Sequence, residues 1–525
     1  MANPAMTSTE PAAPTLTRRA SLSFVNSLFT QVAAVATMFI VTPIIIRNLG
    51  LTLYGAWLMI QQTIGYLSIG DLRPMSTLKF SIAVRQHVED PAEKRRLLGA
   101  ALRLWAYTFP VLLLIGAVLV WQVPSFIHVS PAAITAVRVA MTVAVVNLAI
   151  DRVLAVPSNV LVGMNIEYRA MGVNAASSIL SGVLTVIALR LGYGLPGLAL
   201  ATITGPFLFS VVQFFIARRA VHWFGYERPA PGEMKEFTIL SGWISLAAIA
   251  SGLVTGMDIF LLGVLLGPAV AAVYATTGAA YRVLQNPLGE ILGSGSAGIS
   301  ALCGQQDWPR VRRLRTEMHT VSIALMSVAG FVITIVNRDF IRIWMKREIY
   351  AGTAVTVLLA GLGLVTLLYR ADRIIAASMM EFRAQTVAMT LSGSITLVCG
   401  AISAKFIGPA AIVFWLIVSH IVIIIYIGNL IAKRTGSSLA LHAMSLARPL
   451  MTAVALFTVA AIAEPYVHVS GWLQLIGVSA VLSVAALLVT AFVGLDASMR
   501  AMLASRIGHA LAAVGVRRRR QEGNL

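Results

Sequence analysis

The sequence predicts an all-α polytopic membrane protein of about fourteen transmembrane helices: two pseudo-symmetric six-helix bundles plus two extra C-terminal helices. Three observations carry this reading. Ala20–Ile46, Leu191–Ala217 and Phe406–Ala432 each run 27 residues without a charge, and Phe237–Met257 and Ala384–Ala404 run 21. About 20 apolar residues cross a ~30 Å hydrocarbon core as a helix. The chain is 58% hydrophobic and 12% charged with a mean hydropathy of +0.84, outside the range of ordinary soluble domains. It also repeats itself. The phrase IIIRNLGLTLYGAWLMIQQTIGY (Ile44–Tyr66), an apolar segment turning at Leu-Gly near a Tyr, returns in GMDIFLLGVLLGPAVAAVYATTGAAYRVLQNP (Gly256–Pro287).

Helices are expected near 22–46, 54–71, 99–121, 135–157, 172–190, 196–217, 238–261, 270–290, 318–337, 353–376, 385–404, 409–432, 448–464 and 472–494. Trp and Tyr near segment ends (Tyr54, Trp57, Trp105, Trp121, Trp243, Trp344, Trp472) fit interfacial belts. Residues 1–21, polar and without a hydrophobic core before a cleavage site, read as a disordered cytoplasmic leader. A bundle over 22–219 is followed by a linker at 220–236 and a second bundle over 237–433. Two additional helices occupy 447–495, and a basic tail closes the chain at 496–525. Residues 72–98 suggest an amphipathic helix lying on the membrane surface.

Further marks recur in the same order in both halves. Asp151-Arg152 is echoed by Asp372-Arg373, and Tyr168-Arg169 by Phe382-Arg383. Ser181-Gly182 precedes the Gly197 turn as Ser392-Gly393 precedes Gly408-Pro409. Such duplication suggests a transporter architecture with its pathway between the halves.

The net charge of +19 is not spread evenly. With fourteen crossings, eight of the 40 Lys and Arg fall on one side: Arg47, Arg138, Arg190, Arg338, Arg342, Lys346, Arg347 and Lys405. The other 32 include Arg310, Arg312, Arg313, Arg315 and the Arg517–Arg520 run. That bias is the positive-inside signature and places both termini in the cytoplasm. It accounts for the basic balance through topology and anionic lipid, with no nucleic-acid partner.

Catalytic motifs are weak. Gly293–Gly298 matches GxGxxG, but it follows a membrane segment instead of a strand, so it reads as the end or bend of that segment. No Gly-Lys dipeptide and no HExxH occurs, Cys303 and Cys399 lack metal-ligand spacing, and the short outer loops carry few acids. The chain is read as not an enzyme, with no cofactor and no metal.

The charges inside apolar segments are the sharper signal, because each costs roughly 2.5–3.5 kcal/mol on insertion scales. Arg282 is either half of an ion pair with Asp258 or Glu290, or an anion-binding group in a hydrated cavity. Asp258 is a candidate for a coupling proton or cation. Neighbours on a helix point ~100° apart, so in Asp151-Arg152 and Asp372-Arg373 at least one member should meet another helix. The amides of Asn26 and Gln31 need partners, on another helix or in a watery cavity.

Together these features resemble the multidrug/oligosaccharidyl-lipid/polysaccharide exporter superfamily, specifically its polysaccharide branch of Wzx-type O-antigen and exopolysaccharide flippases. The resemblance covers about 22–494 and rests on Arg47-Asn48-Leu49-Gly50 with Tyr54-Gly55, Asp71, and Leu266-Gly267-Pro268 with Tyr274-Ala275. It implies two bundles facing a central cavity that opens alternately to each side, in the bacterial inner membrane. It implies a polyprenyl-diphosphate-linked oligosaccharide as substrate, with membrane lipids around it, and leaves room for a polysaccharide polymerase and export proteins as partners. Substrate-binding roles then fall to Arg282, Arg373, Arg152, Gln31 and Asn26, and ion coupling to Asp258. Fourteen helices exceed the twelve of many members and resemble the lipid II flippases. A cation-coupled multidrug exporter is the second reading, and a membrane glycan polymerase or ligase the third. An exporter of organic cations wants carboxylates in its cavity, whereas a diphosphate carrier wants guanidinium groups.

The charge bias predicts that a reporter active only in the periplasm stays silent when fused at Leu525 and is active near Glu348; activity at Leu525 rules out the fourteen-helix topology.

Overall fold

A computed structural model describes residues 16–68, 72–85, 90–254, 256–501 and 505; the side chains of 16–28 and of Glu290 are among those outside the description. Among the described residues the regular elements are helical. They are α1 (Leu16–Leu67), α2 (Pro74–Val84), α3 (Pro91–Phe126), α4 (Pro131–Leu154), α5 (Val156–Gly163), α6 (Val173–Arg190), α7 (Gly194–Ala220), α8 (Pro231–Val254), α9 (Met257–Leu266) and α10 (Pro268–Thr277). After these come α11 (Ala279–Ser294), α12 (Ser296–Gly304), α13 (Trp308–Met345), α14 (Thr353–Ser378), α15 (Phe382–Ile395), α16 (Ala401–Ile407), α17 (Pro409–Thr435), α18 (Leu439–Ala463) and α19 (Trp472–Val489). Among the described residues, eleven helices are long and apolar enough to cross a membrane, or twelve if the α8–α9 pair is one broken span.

Helix breaks account for the distance from the expected fourteen. The segments expected at 22–46 and 54–71 are the two arms of α1, two helices that meet at a kink. The kink lies at Gly50, where φ is 79° and ψ 170°. The segment expected at 270–290 is divided into α10 and α11 at Gly278. Gly267 separates α9 from α10 with φ 97° and ψ 157°, so the two Leu-Gly motifs of the repeat break their helices in the same backbone conformation. That conformation lies in the mirror-β region, which only glycine enters without strain.

Other expectations shift with the caps. The surface helix expected over 72–98 is instead α2 plus the first turns of α3, with residues 86–89 outside the description. The Asp90 carboxylate accepts from Ala92 N and Glu93 N at 2.9 and 3.1 Å and starts α3 with Pro91 in its first position. The GxGxxG stretch holds the boundary between α11 and α12. The leader expected over 1–21 lies outside the described residues up to residue 15, and α1 is under way at Leu16. Asp71 and most of the tail at 496–525 also lie outside them.

Contacts group the chain into two compact units. The first comprises Met1–Ile44, Leu67–Val120 and Arg138–Ser245. Its core joins α2, α3, α5 and the end of α7 around the buried Trp223, whose carbonyl accepts from Arg95 Nε at 3.0 Å. Its helices approach closely over small residues: a Cβ on Gly205 would overlap the Ser181 hydroxyl of α6, and one on Gly116 the Val145 side chain of α4. Lipid tails supply no hydrophobic drive for helix association, so this proximity contributes dispersion contacts that larger residues would forbid.

The second unit comprises Ile45–Tyr66, Trp121–Val137 and Leu246–Leu525. Here the later arm of α1 lies along α9 and the start of α10. A Cβ on Gly55 would overlap the Pro268 carbonyl, and one on Gly263 the Met59 side chain. The main core packs α9, α10, α13, α14, α17 and α18 around Tyr274, Ile323 and Ile412.

Gly267→Ala should cost about 1–3 kcal/mol through its φ of 97° and lower the melting temperature. Gly477→Ala, in the interior of α19 with open space around its Cβ position, should be neutral or raise it. Equal melting temperatures would contradict the role given to the Gly267 break.

Candidate functional site

The break before α9 places Asp258 in that helix's first turn, where the N-terminal end of the macrodipole favours a carboxylate. Asp258 is buried, and its Oδ2 accepts from the hydroxyl of Tyr274, which is fully buried on α10, at 2.6 Å. Three residues after Tyr274 the α10 helix ends, Gly278 intervenes, and Arg282 follows in the first turns of α11. The Arg282 guanidinium folds back over this junction. Its Nη2 donates to the carbonyl of Ala275, and its Cζ stands 5.7 Å from the centroid of the Tyr274 ring. A Cβ at position 278 would stand 2.8 Å from the Arg282 guanidinium, which would have to shift to make room.

Asp258, Tyr274 and Arg282 therefore form one line, with the phenol ring between carboxylate and guanidinium. No ion pair joins Arg282 to Asp258. The guanidinium is balanced instead by a ring face and by a carbonyl near a helix C-terminus, where cations are favoured. One contact to Ala275 leaves most of its five N–H donors for another acceptor.

Asp372 has a different fate. It is fully buried on α14 and takes a bidentate pair from Arg315 of α13, with Nε–Oδ1 and Nη2–Oδ2 both 2.7 Å. His319 Nε2, one turn along α13, stands 3.1 Å from Asp372 Oδ1, and His319 Nδ1 stands 3.0 Å from His442 Nε2 of α18. This network ties the first of the two additional helices to the second unit. Arg373 points elsewhere: it is exposed, 6.0 Å over the Tyr369 ring. The ~100° between neighbours thus sends Asp372 inward and Arg373 outward.

The remaining candidates belong to the first unit. Arg152 is half-buried, with Nη2 3.5 Å from the carbonyl of Ser68. Gln31 is half-buried on α1. Asn26 lies on α1 with its side chain outside the description. The structure thus brings Asp258 and Arg282 together through Tyr274, while Asp372 is held by Arg315. Sequence reasoning did not single out Arg315, His319 or His442. The four-residue spacing of Arg315 and His319 on one helix face was the available signal.

The fold, with its helix breaks at repeated Leu-Gly turns, is shared with solved transporter structures. The structure of lipid II flippase MurJ in an inward closed conformation matches with a TM-score of 0.64 at 12% identity, covering 89% of this chain and 97% of that one. An inward-facing multidrug resistance MATE family transporter matches at 0.60 and 14% identity, covering 80% and 99%. A MOP superfamily transporter from Pyrococcus furiosus, described by the reversed polarity of its binding pocket, matches at 0.54 and 15% identity, covering 80% and 96%. No family model matches the sequence, and no curated protein matches it.

Asp372→Asn should cost about 3–5 kcal/mol, because it leaves Arg315 buried without its carboxylate. The double variant Asp372→Asn/Arg315→Met should recover much of the loss, and Arg373→Ala should melt like the parent protein. A stable single Asp372→Asn variant would contradict the structural role of the pair.

Proposed function

We propose that this chain flips a polyprenyl-diphosphate-linked oligosaccharide across the bacterial inner membrane for surface polysaccharide biosynthesis, by alternating access. The observation that carries the reading is Arg282, held in an apolar unit, among the described residues, by a carbonyl and a ring face and not by a carboxylate. Keeping such a charge is costly unless an anion periodically meets it. A diphosphate suits this, because a guanidinium offers two parallel N–H groups to its oxygens and stays charged at any relevant pH. The fold match to a lipid II flippase over 89% of the chain supports a lipid-linked substrate.

Binding and release of the lipid diphosphate need no covalent step, so the protein acts as a carrier. Arg282 provides the diphosphate contact, with Arg373 as a further polar contact in the second unit and Arg152, Gln31 and Asn26 as those of the first unit. Asp258 shares the Tyr274 bridge with Arg282 and is the group through which a proton or cation couples to substrate binding. The second reading, a cation-coupled multidrug exporter, is favoured by that same buried Asp258 carboxylate and by the match to a multidrug resistance MATE transporter.

Under the flippase reading, Arg282→Ala should abolish glycan export at near-normal protein level, and Arg282→Lys should retain part of it. Export is read by surface glycan staining in cells and by a fluorescent lipid-diphosphate flipping assay in proteoliposomes. Under the exporter reading, Asp258→Asn should abolish efflux of organic cations while Arg282→Ala spares it. Full export by the Arg282→Ala protein would remove the flippase reading.

A further inference from the structure

The contact between His319 of α13 and His442 of α18 differs in kind from the Arg315–Asp372 pair beside it. Two ring nitrogens 3.0 Å apart hold one hydrogen between them, so one ring donates and the other accepts. The outer nitrogen of each ring fixes the rest. His319 is buried, and its Nε2 stands 3.1 Å from Asp372 Oδ1. A lone pair there would face a carboxylate, so Nε2 carries hydrogen. The approach lies off the line of a directed hydrogen bond, and a contact of that shape gains most when the ring is charged. His442 is half-buried near the start of α18, where Leu441 and Met444 are exposed, and its Nδ1 stands 3.4 Å from Thr316 Oγ1. The Thr316 hydroxyl has a second contact at 3.2 Å, the carbonyl of Arg312. With a single hydrogen, it donates to His442 or to Arg312 and not to both.

These contacts satisfy two protonation states. In the neutral state Thr316 donates to His442 Nδ1, His442 Nε2–H donates to His319 Nδ1, and His319 Nε2–H faces Asp372. With one more proton the first two bonds reverse. His442 Nδ1–H then donates to Thr316, whose hydroxyl turns to the Arg312 carbonyl, and His319 Nδ1–H donates to His442 Nε2. The proton enters at His442 Nδ1, the one already on its Nε2 passes to His319, and the charge comes to rest beside Asp372. His442 ends neutral, in its other tautomer.

Among the described residues, the charged groups facing the pair are Arg315 and Asp372. Arg312 reaches the carbonyl of Thr435 on α17, Glu317 meets Arg313 at 3.1 Å, and Arg448 of α18 donates to the carbonyl of Val493 at 2.6 Å. From α17, Gly428 lies against Arg315 and Asp372, and after α19 Met499 meets Thr320.

We propose that the His319–His442 pair is a proton-binding site, which takes up one proton at His442 and holds its charge on His319. The site shares no residue with Asp258, Tyr274 or Arg282, and it does not depend on which substrate is carried. Uptake reverses two hydrogen bonds and loses none, which is what lets an imidazolium form in a buried place. The α13–α18 contact then carries a charge only while the proton is bound.

The test is solid-state NMR of the full-length protein in lipid nanodiscs with 15N-labelled histidine, at about pH 8 and about pH 5. His319 and His442 are assigned through their labelled neighbours Met318 and Leu441. At the higher pH both rings should be neutral with hydrogen on Nε2. At the lower pH His319 should carry hydrogen on both nitrogens, while His442 stays neutral with hydrogen on Nδ1. Thr316→Val removes the hydroxyl that reverses and should move the changeover down by about one pH unit, a tenfold weaker uptake. Rings unchanged between the two pH values would overturn the site. So would an imidazolium at His442 with His319 neutral, which is how a half-exposed histidine titrates alone. A Thr316→Val protein with the parent's changeover would contradict the relay through the hydroxyl.

Discussion

A guanidinium in an apolar helical unit has to be balanced by something, and the identity of its partner separates scaffold from site in this protein. Arg315 is balanced by the Asp372 carboxylate through two 2.7 Å contacts and is buried. Such a pair is closed: both charges and the main donors are used, and removing one partner strands the other. Arg282 is balanced by a ring face and one carbonyl, a weaker and more open arrangement that still has donors to give. The same side-chain chemistry therefore serves as a permanent tie at one place and is left more open at another.

Glycine makes the open arrangement possible in two ways. The breaks at Gly50 and Gly267 end helices inside apolar stretches, exposing carbonyls and N–H groups that a continuous helix would consume. The notch at Gly278 then lets Arg282 fold back onto the last turn of α10. The same break logic sets Asp258 at the start of α9, so both charged members of the site are placed by helix ends and not by helix interiors. The Tyr274 ring spaces them, which allows each charge to respond to the other without being cancelled by it.

Much of the architecture was legible in the sequence because its cause is local. Charge-free runs of 27 residues leave few alternatives to membrane helices, and the repeated Leu-Gly turns marked breaks that both occur. Arg282 stood out as a charge within an apolar segment. The count of spans was less legible, since a sequence pattern does not say where a span is broken into shorter helices, as at Gly278 between α10 and α11. Side-chain partners were not legible at all where they depend on tertiary packing. Arg315 and Asp372 lie 57 residues apart, and Arg315 reads from sequence as one more basic residue in a loop cluster.

The central claim is contact between a phosphate and the Arg282 guanidinium. Solid-state NMR dephasing between 31P of a bound polyprenyl diphosphate and 15N-labelled arginine side chains measures that contact directly. The account predicts a 31P–15N separation of about 4 Å, as expected for a charge-assisted hydrogen bond, with part of the dephasing lost in Arg282→Ala. Dephasing absent from the parent protein, or undiminished in Arg282→Ala, would contradict it.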